Sequence, residues 1–314
     1  TATVTVQTGE TITGTTGADL LVGSDNGDDI DGGEGDDTIV GLDGDDTITT
    51  GSGLDVVEAG EGDDLIQLGA ADGTFPIGLV SRNNYLELTD GTILYITTSG
   101  KMENRDILDG GAGDDTVVGT AEDDVLKVQS ASTEVAGGDT TVARIIDVEV
   151  FQLGEGDDVL DLTVTDSFAP GEYDANVTAL GESGIDLLWS GSGYDVLFGG
   201  DDTDFLVAGP GINTLTGGND GDGANGVRDI FGVGDGADGG IHIITDFESG
   251  VDDLLFVGYG GTGQSELTIS FDASSGDTTI VAASTSGHED ATIILQGVDL
   301  LSQPDIDGDF IFFA

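Results

Sequence analysis

Residues 14–67 read GTTGADLLV, GSDNGDDID, GGEGDDTIV, GLDGDDTIT, TGSGLDVVE, AGEGDDLIQ: six nine-residue units in tandem, without insertion or deletion. The sixth position is aspartate throughout, at Asp19, Asp28, Asp37, Asp46, Asp55 and Asp64. The eighth is aliphatic throughout, at Leu21, Ile30, Ile39, Ile48, Val57 and Ile66. Position four is glycine at Gly17, Gly35, Gly44, Gly53 and Gly62, and Asn26 in the second unit, the next most tolerant residue for a left-handed backbone. A fixed period of this kind marks a repeat architecture, in which each unit buries its apolar residue only by stacking on its neighbours.

The same phase returns further along. A second tandem block, residues 181–216, reads GESGIDLLW, SGSGYDVLF, GGDDTDFLV, AGPGINTLT. Its sixth positions are Asp186, Asp195, Asp204 and Asn213, its eighth positions are all leucine, and Gly184 and Gly193 hold position four. Between the blocks lie GGAGDDTVV (Gly113, Asp115), GTAEDDVLK (Asp124) and LGEGDDVLD (Gly156, Asp158). These units match G-G-x-G-x-D-x-U-x, and the chain on this evidence resembles the RTX (repeats-in-toxin) calcium-binding family. The resemblance implies an all-β fold, a parallel β-roll or β-solenoid in which two nonapeptides make one coil. Each GGxGxD half is then a turn, and each xUx half a short strand with its aliphatic residue inward.

Given that coil, calcium has a place. Stacked strands lie about 4.7–4.9 Å apart, and calcium–oxygen bonds span about 2.3–2.6 Å. An ion midway between two turns therefore bonds oxygens from both. Turns on one edge recur with every second unit, which places Asp19, Asp37 and Asp55 on one edge and Asp28, Asp46 and Asp64 on the other. The expected ligands are the phased carboxylates, with glycine carbonyls completing the six or more hard oxygens that calcium takes. Six tandem units allow about four such sites and four units about two, as a lower bound, by the same oxygen sharing. Asp115, Asp124 and Asp158, outside the tandem blocks, are less secure ligands. The acids at position five, Asp36, Asp45, Asp63, Asp114 and Asp157, are expected to face water and not to be ligands.

The charge balance makes the ion a requirement of folding. Six Lys or Arg stand against 63 acids, for a net charge of −57, and 48 of the acids are Asp against 15 Glu. The excess of the shorter acid suits a carboxylate held close to a tight turn. Self-repulsion on this scale opposes a compact state, and one buried aliphatic side chain per repeat offsets little of the ordering entropy. The expected behaviour is an unfolded chain at low calcium and a β-roll at calcium in the millimolar range typical of extracellular modules. The same charge repels phosphate backbones and anionic membranes, which excludes nucleic-acid binding through a basic surface. No apolar run approaches the ~18 residues that span a bilayer. Cysteine is absent, so neither disulfides nor thiolate zinc sites can staple the chain.

Composition divides the chain into five expected segments: 1–73, an N-terminal strand and the first roll block; 74–108, a hairpin excursion; 109–178, an irregular solenoid; 179–240, the second roll block; and 241–314, a C-terminal β cap with a secretion signal region. In the excursion, Tyr85–Leu88 and Thr92–Ile96 alternate around Asp90-Gly91, a type I′ hairpin signal. Arg82, Lys101 and Arg105, half of all the cations, lie there too. Two readings stand for this segment: a docking surface for an acidic cell-surface glycan or a second copy of the chain, or a β excursion that caps the first roll. Strand-like runs occur at Val142–Ile146, Val148–Leu153, Leu267–Phe271, Thr278–Val281 and Thr292–Leu295. Ile241–Phe247 followed by Gly250, Asp252 and Phe256 resembles the segment that closes the roll in serralysin-type metalloproteases. Asp309-Phe310-Ile311-Phe312-Phe313-Ala314 resembles the uncleaved C-terminal signal of type I secretion, read by an ABC-type exporter; a simple last strand is the alternative. No secretory signal peptide is visible at Thr1–Ile12, which fits that route.

No HExxH or GxSxG motif occurs. His242 alternates with Ile241 and Ile243 on an expected strand, in a structural or exposed position, and His288 lies in a polar turn. Trp189, at position nine, is expected to pack against the adjacent coil, with exposed sugar stacking as the alternative. Two functional readings remain. One is a non-enzymatic extracellular calcium-binding protein, secreted by the type I route, of structural, adhesive or self-assembling matrix type. The other is the calcium-folding and secretion part of a larger hydrolase or polysaccharide-modifying enzyme. The repeats and export-like end, without a catalytic constellation, favour the first.

Overall fold

Each nonapeptide ends in a short strand whose middle side chain turns inward. Thr38, Ile39 and Val40 show why: β-branched residues suit an extended backbone, and alternation sends Ile39 inside while its neighbours stay half-buried. Ile30, Ile39, Ile48, Val57 and Ile66 are fully buried, as are Leu188, Leu197, Leu206 and Leu215 in the second block. These eighth-position residues form the spine of one continuous hydrophobic core. The computed structural model describes residues 9–69, 86–87, 93–94, 102–103, 106–127, 144–162, 173, 175–218, 227–234, 240–257, 267–283, 290–303 and 309–313.

The strands stack in parallel as a solenoid. One 13-stranded sheet runs the length of the molecule. It begins with Thr11–Thr13, Asp29–Asp31, Thr47–Thr49 and Leu65–Gln67, each two repeat units on from the last. It continues through Thr116–Val118, Val150–Glu155, Thr178–Ser183, Val196–Asp201, Ile212–Thr216, Ile241–Ile244 and Ala291–Leu295. Two antiparallel strands, Asp277–Ala282 and Leu267–Asp272, close it as a cap.

Opposite this long sheet the partner changes. A first facing sheet holds Leu20–Val22, Thr38–Asp43, Val56–Glu61, Ile107–Ala112 and Ile145–Ile146. A second facing sheet holds Met102–Glu103, Asp124–Lys127, Val159–Asp161, Leu187–Trp189, Phe205–Ala208, Ile230–Gly234, Asp253–Val257 and Phe310–Phe313. The tandem blocks have two faces per coil, as two nonapeptides imply. The two middle coils visit all three sheets in turn: 107–112, 116–118 and 124–127, then 145–146, 150–155 and 159–161. Chain inserted between strands leaves the stack in register, because Val56 still pairs with Ile107 and Leu65 with Thr116.

The outer face of the second facing sheet carries its own stripe of buried residues, Val125, Val159, Leu187, Phe205, Ile230, Leu255 and Ile311. Trp189 packs against this stripe, in register with Val207 of the adjacent coil. In the excursion, Leu86–Glu87 pairs antiparallel with Ile93–Leu94. Arg82, Lys101, Arg105, the Asp90-Gly91 turn and His288 lie outside the described residues. Among the described residues no helix is long and apolar enough to cross a membrane.

Candidate metal centre

The turns are built by left-handed backbone at positions two and four of the repeat. In the turn before Asp46 these are Leu42 (φ 89°) and Gly44 (φ 119°); before Asp37 they are Gly33 (φ 94°) and Gly35 (φ 122°). Of the expected position-four glycines, Gly35, Gly44, Gly53, Gly62, Gly113, Gly156, Gly184 and Gly193 all have positive φ. Gly17 is not among them, and a Cβ added there would meet nothing within 4 Å. It lies in an open end turn, unlike the others.

The phased aspartates stack into three rows, one leading into each sheet. Into the first facing sheet, Asp19 N–H donates to Asp37 Oδ1 (2.8 Å), Asp37 N–H to Asp55 Oδ1 (2.8 Å) and Asp55 N–H to Asp106 Oδ1 (3.0 Å). Into the long sheet, Glu10 N–H donates to Asp28, Asp28 to Asp46 (2.7 Å), Asp46 to Asp64 (2.7 Å), Asp64 to Asp115 (2.8 Å) and Asp115 to Glu149 Oε2 (2.9 Å). This row goes on past Val177, whose N–H donates to Asp195 Oδ1 (3.0 Å), to Asn213 and His242. Into the second facing sheet, Asp124 N–H donates to Asp158 (2.7 Å), Asp158 to Asp186 (2.8 Å), Asp186 to Asp204 (2.9 Å), Asp204 to Asp229 (2.9 Å) and Asp229 to Asp252 (3.0 Å). The expected grouping of 19, 37, 55 against 28, 46, 64 is what the first block shows. The second block alternates in the same way but against the second facing sheet: Asp186 and Asp204 continue from Asp158, while Asp195 and Asn213 belong to the row of Asp46.

One carboxylate oxygen is thus fixed by the neighbouring coil, and the other turns into its own turn. The Oδ2 atoms of Asp37, Asp46, Asp64 and Asp115 are buried with no hydrogen-bond partner. A buried anionic oxygen left so is costly. Position one shows what lies beside it: a Cβ built on Gly41 would sit 2.2 Å from both Asp46 Oδ2 and the Ala59 carbonyl oxygen of the next coil. Carboxylate and carbonyl likewise converge at Gly32, Gly181 and Gly199. Burial, reinforced by the charges of Asp64, Asp28 and Asp45 and opposed by the Asp28 N–H, pushes Asp46 up to about 6. Burial likewise pushes Asp115 up to about 6 and raises Asp37, Asp64 and Asp195. Among the described residues no three acidic or histidine side chains converge. The donors come instead as single carboxylates alternating with main-chain carbonyls, a hard all-oxygen set that fits calcium.

The rows contain residues that the nonapeptide reading missed. Asp106, Asp229 and Asp252 hold ladder positions, and each keeps the D-x-U half of the motif (Asp106-Ile107-Leu108, Asp229-Ile230-Phe231, Asp252-Asp253-Leu254) without the full G-G-x-G half; of the three only Asp252 retains a position-four glycine, the left-handed Gly250 (φ 82°). That half-motif was the available signal. The position-five acids Asp36, Asp45, Asp63, Asp114 and Asp157 are exposed, as expected, yet have structural work. Asp36 accepts from Leu54 N–H, Asp45 from Asp63, Asp63 from Asp114 and Asp157 from Ile185, at 3.0–3.1 Å. These bonds run in the opposite sense to the inner rows. His242 is fully buried, its Nδ1 3.3 Å from Asn213 Nδ2, and burial lowers it to about 4.

The family model described as RTX calcium-binding nonapeptide repeat (4 copies) matches residues 7–39, 31–66, 40–74, 103–126 and 180–215. The chain carries RTX calcium-binding nonapeptide repeats. Its repeats bind multiple Ca2+ ions and form a structural rather than a catalytic fold. No curated protein matches the chain significantly. The matched RTX segments coincide with the turns in which stacked carboxylates face the carbonyls of the next coil.

Proposed function

We propose that this RTX protein is a secreted calcium-folded element of structural, adhesive or matrix type. In low-calcium cytosol the chain stays unfolded and passes through an ABC-type exporter; outside the cell it folds on calcium. The phased aspartates from Asp37 to Asp204, Asp124 excepted, with the carbonyls of the turn glycines, hold the ions, and calcium when bound supplies positive charge between the coils. The observation that carries this reading is the set of buried, partnerless Oδ2 atoms in successive turns. A fold that places them there without a cation stores repulsion at every coil, and a divalent ion removes it. The export-like Asp309–Ala314 end and the acidic composition support the secreted route.

Far-ultraviolet circular dichroism during a calcium titration tests the folding step. A coil spectrum in chelator should give way to a β spectrum in the millimolar range. A β spectrum unchanged by chelator refutes it. Light scattering over the same titration tests the matrix role: ordered growth in size supports assembly, and a compact monomer at all calcium concentrations argues against it.

A further inference from the structure

Three turns handle their carboxylate differently. Thr15 N–H and Oγ1 both donate to Asp19 Oδ2 (2.6 and 2.8 Å). Ser24 N–H donates to Asp28 Oδ2 (2.5 Å) and its hydroxyl to Asp28 Oδ1 (3.2 Å). Thr120 N–H and Oγ1 both donate to Asp124 Oδ2 (2.6 and 3.0 Å). In each case the donor is the position-two residue, four before the aspartate. Each of these aspartates is the first phased Asp of its row: Asp19 heads the row into the first facing sheet, Asp28 that into the long sheet, and Asp124 that into the second facing sheet.

Elsewhere position two offers no hydroxyl donor; Glu248, four before Asp252 at the far end of the row into the second facing sheet, gives only its N–H to Asp252 Oδ2 (2.7 Å). Gly33 before Asp37, Gly60 before Asp64 and Gly111 before Asp115 have no side chain and are left-handed, and those Oδ2 atoms have no partner. Leu42 serves as an internal control. It carries a side chain but adopts the left-handed conformation, and Asp46 Oδ2 stays without a partner. What separates the two classes is therefore a hydroxyl residue outside the left-handed region, whose amide and hydroxyl turn onto the carboxylate.

We infer that Thr15, Ser24 and Thr120 decide which turns take calcium, closing the first gap of each row. The inference rests on the calcium reading above. In the gap between the Asp19 and Asp37 turns, the oxygen that would meet an ion already accepts two hydrogen bonds. The carboxylate is likewise occupied between Asp28 and Asp46, and between Asp124 and Asp158. These hydrogen bonds supply locally what an ion supplies in the inner gaps. They suit a terminal turn, which has at most one neighbouring coil to share a cation with. Asp19, Asp28 and Asp124 thus act as row ends, and the ligand set begins one turn further in.

The test is a count of calcium ions bound to the full chain at saturation, by equilibrium dialysis and native mass spectrometry. Asp19→Asn, Asp28→Asn and Asp124→Asn should each leave the count unchanged, while Asp46→Asn lowers it by at least one. The triple variant Thr15→Gly, Ser24→Gly, Thr120→Gly should raise the count, by as many as three. Loss of an ion from each of the three capped-turn variants overturns the inference, as does an unchanged count in the triple variant. A wild-type chain that binds no calcium instead overturns the calcium reading beneath it, so the two failures are distinct.

Discussion

Gly41→Ala isolates the geometry of a single turn. Gly41 is not left-handed, so alanine suits its backbone and only space is at issue. The added Cβ would lie 2.2 Å from the Ala59 carbonyl oxygen and 2.2 Å from Asp46 Oδ2, where ordinary contact starts at 3.4 Å. Asp46 can swing aside; the Ala59 carbonyl belongs to the next coil and cannot. Relief therefore requires the coils to part by ~1 Å at this edge, against a stacking distance of about 4.7–4.9 Å. The bonds that hold that edge are Gly44 N–H to Glu61 O (2.6 Å) and Asp46 N–H to Asp64 Oδ1 (2.7 Å). Overpacking costs ~1–3 kcal/mol, and weakening two hydrogen bonds adds roughly 1 kcal/mol, so the expected loss is about 2–4 kcal/mol. The assay is urea unfolding at saturating calcium, with Gly17→Ala as control. Nothing lies within 4 Å of a Cβ at Gly17, and a compatible Gly→Ala change stabilises by ~0.4–1 kcal/mol. A Gly41→Ala protein within about 0.5 kcal/mol of wild type, the size of a neutral surface change, would refute the reasoning, as would equal damage from both variants.

Acid should partly substitute for calcium. Asp46 and Asp115 stand at about 6 in the folded chain against 3.8 ordinarily, so the repulsion they impose is complete above about 6 and vanishes below 3.8. In chelator, lowering the pH from 7 to 5 should shift the circular dichroism toward β structure, and a coil spectrum throughout would contradict this. His242 has the opposite sign: lowered from 6.5 to about 4 by burial, it contributes stability in full above 6.5 that is lost as pH falls toward 4. His242→Asn should flatten this part of the stability profile in calcium, by at most ~3 kcal/mol at pH 4 on the basis of about 1.36 kcal/mol per pKa unit; parallel wild-type and variant profiles would dismiss the role. Tyr173→Phe should cost ~1–3 kcal/mol in urea unfolding, because the hydroxyl both accepts from Val148 N–H (2.7 Å) and donates to Val148 O (2.6 Å). A loss no larger than that of a neutral surface substitution would mean that water satisfies those groups instead.

The period in residues 14–67 carried the parallel stack, the two-unit register and the inward set Ile30, Ile39, Ile48, Val57 and Ile66, because a nine-residue unit fixes which side chain faces in. The change of facing sheet was not legible there. It depends on where chain is inserted, and insertions between Asp55 and Asp106 or between Asp204 and Asp229 preserve register only through strand pairing distant in sequence. Asp106, Asp229 and Asp252 are not marked by the nine-residue period because none follows a full G-G-x-G, although each keeps D-x-U. Thr15, Ser24 and Thr120 replace the second glycine of G-G-x-G-x-D in plain view, yet the replacement alone does not say that the hydroxyl turns onto the carboxylate. Only the backbone conformation does. His242 looked like one partner in an alternating strand, and its inward direction follows from pairing Asn213 with His242.

The row leading into the long sheet loses charge along its length: Asp28, Asp46, Asp64 and Asp115, then Glu149, Val177, Asp195, Asn213 and His242. Val177 brings no carboxylate and His242 is held neutral, so the later coils ask for less cation on this edge. There the strands lengthen. Val150–Glu155, Thr178–Ser183 and Val196–Asp201 each run six residues, against three in Asp29–Asp31, Thr47–Thr49 and Leu65–Gln67. Phe151, Leu153, Ala179 and Leu197 are buried at this seam. Meanwhile the row into the second facing sheet stays acidic as far as Asp252, so demand for cation moves across the solenoid without being abolished. Because Val150–Glu155 pairs with both Thr116–Val118 and Thr178–Ser183, the ordered coils of one block present a finished sheet edge to the other. On the proposed calcium-folding reading, the seam couples the two blocks through a stretch with the fewest carboxylates in its row.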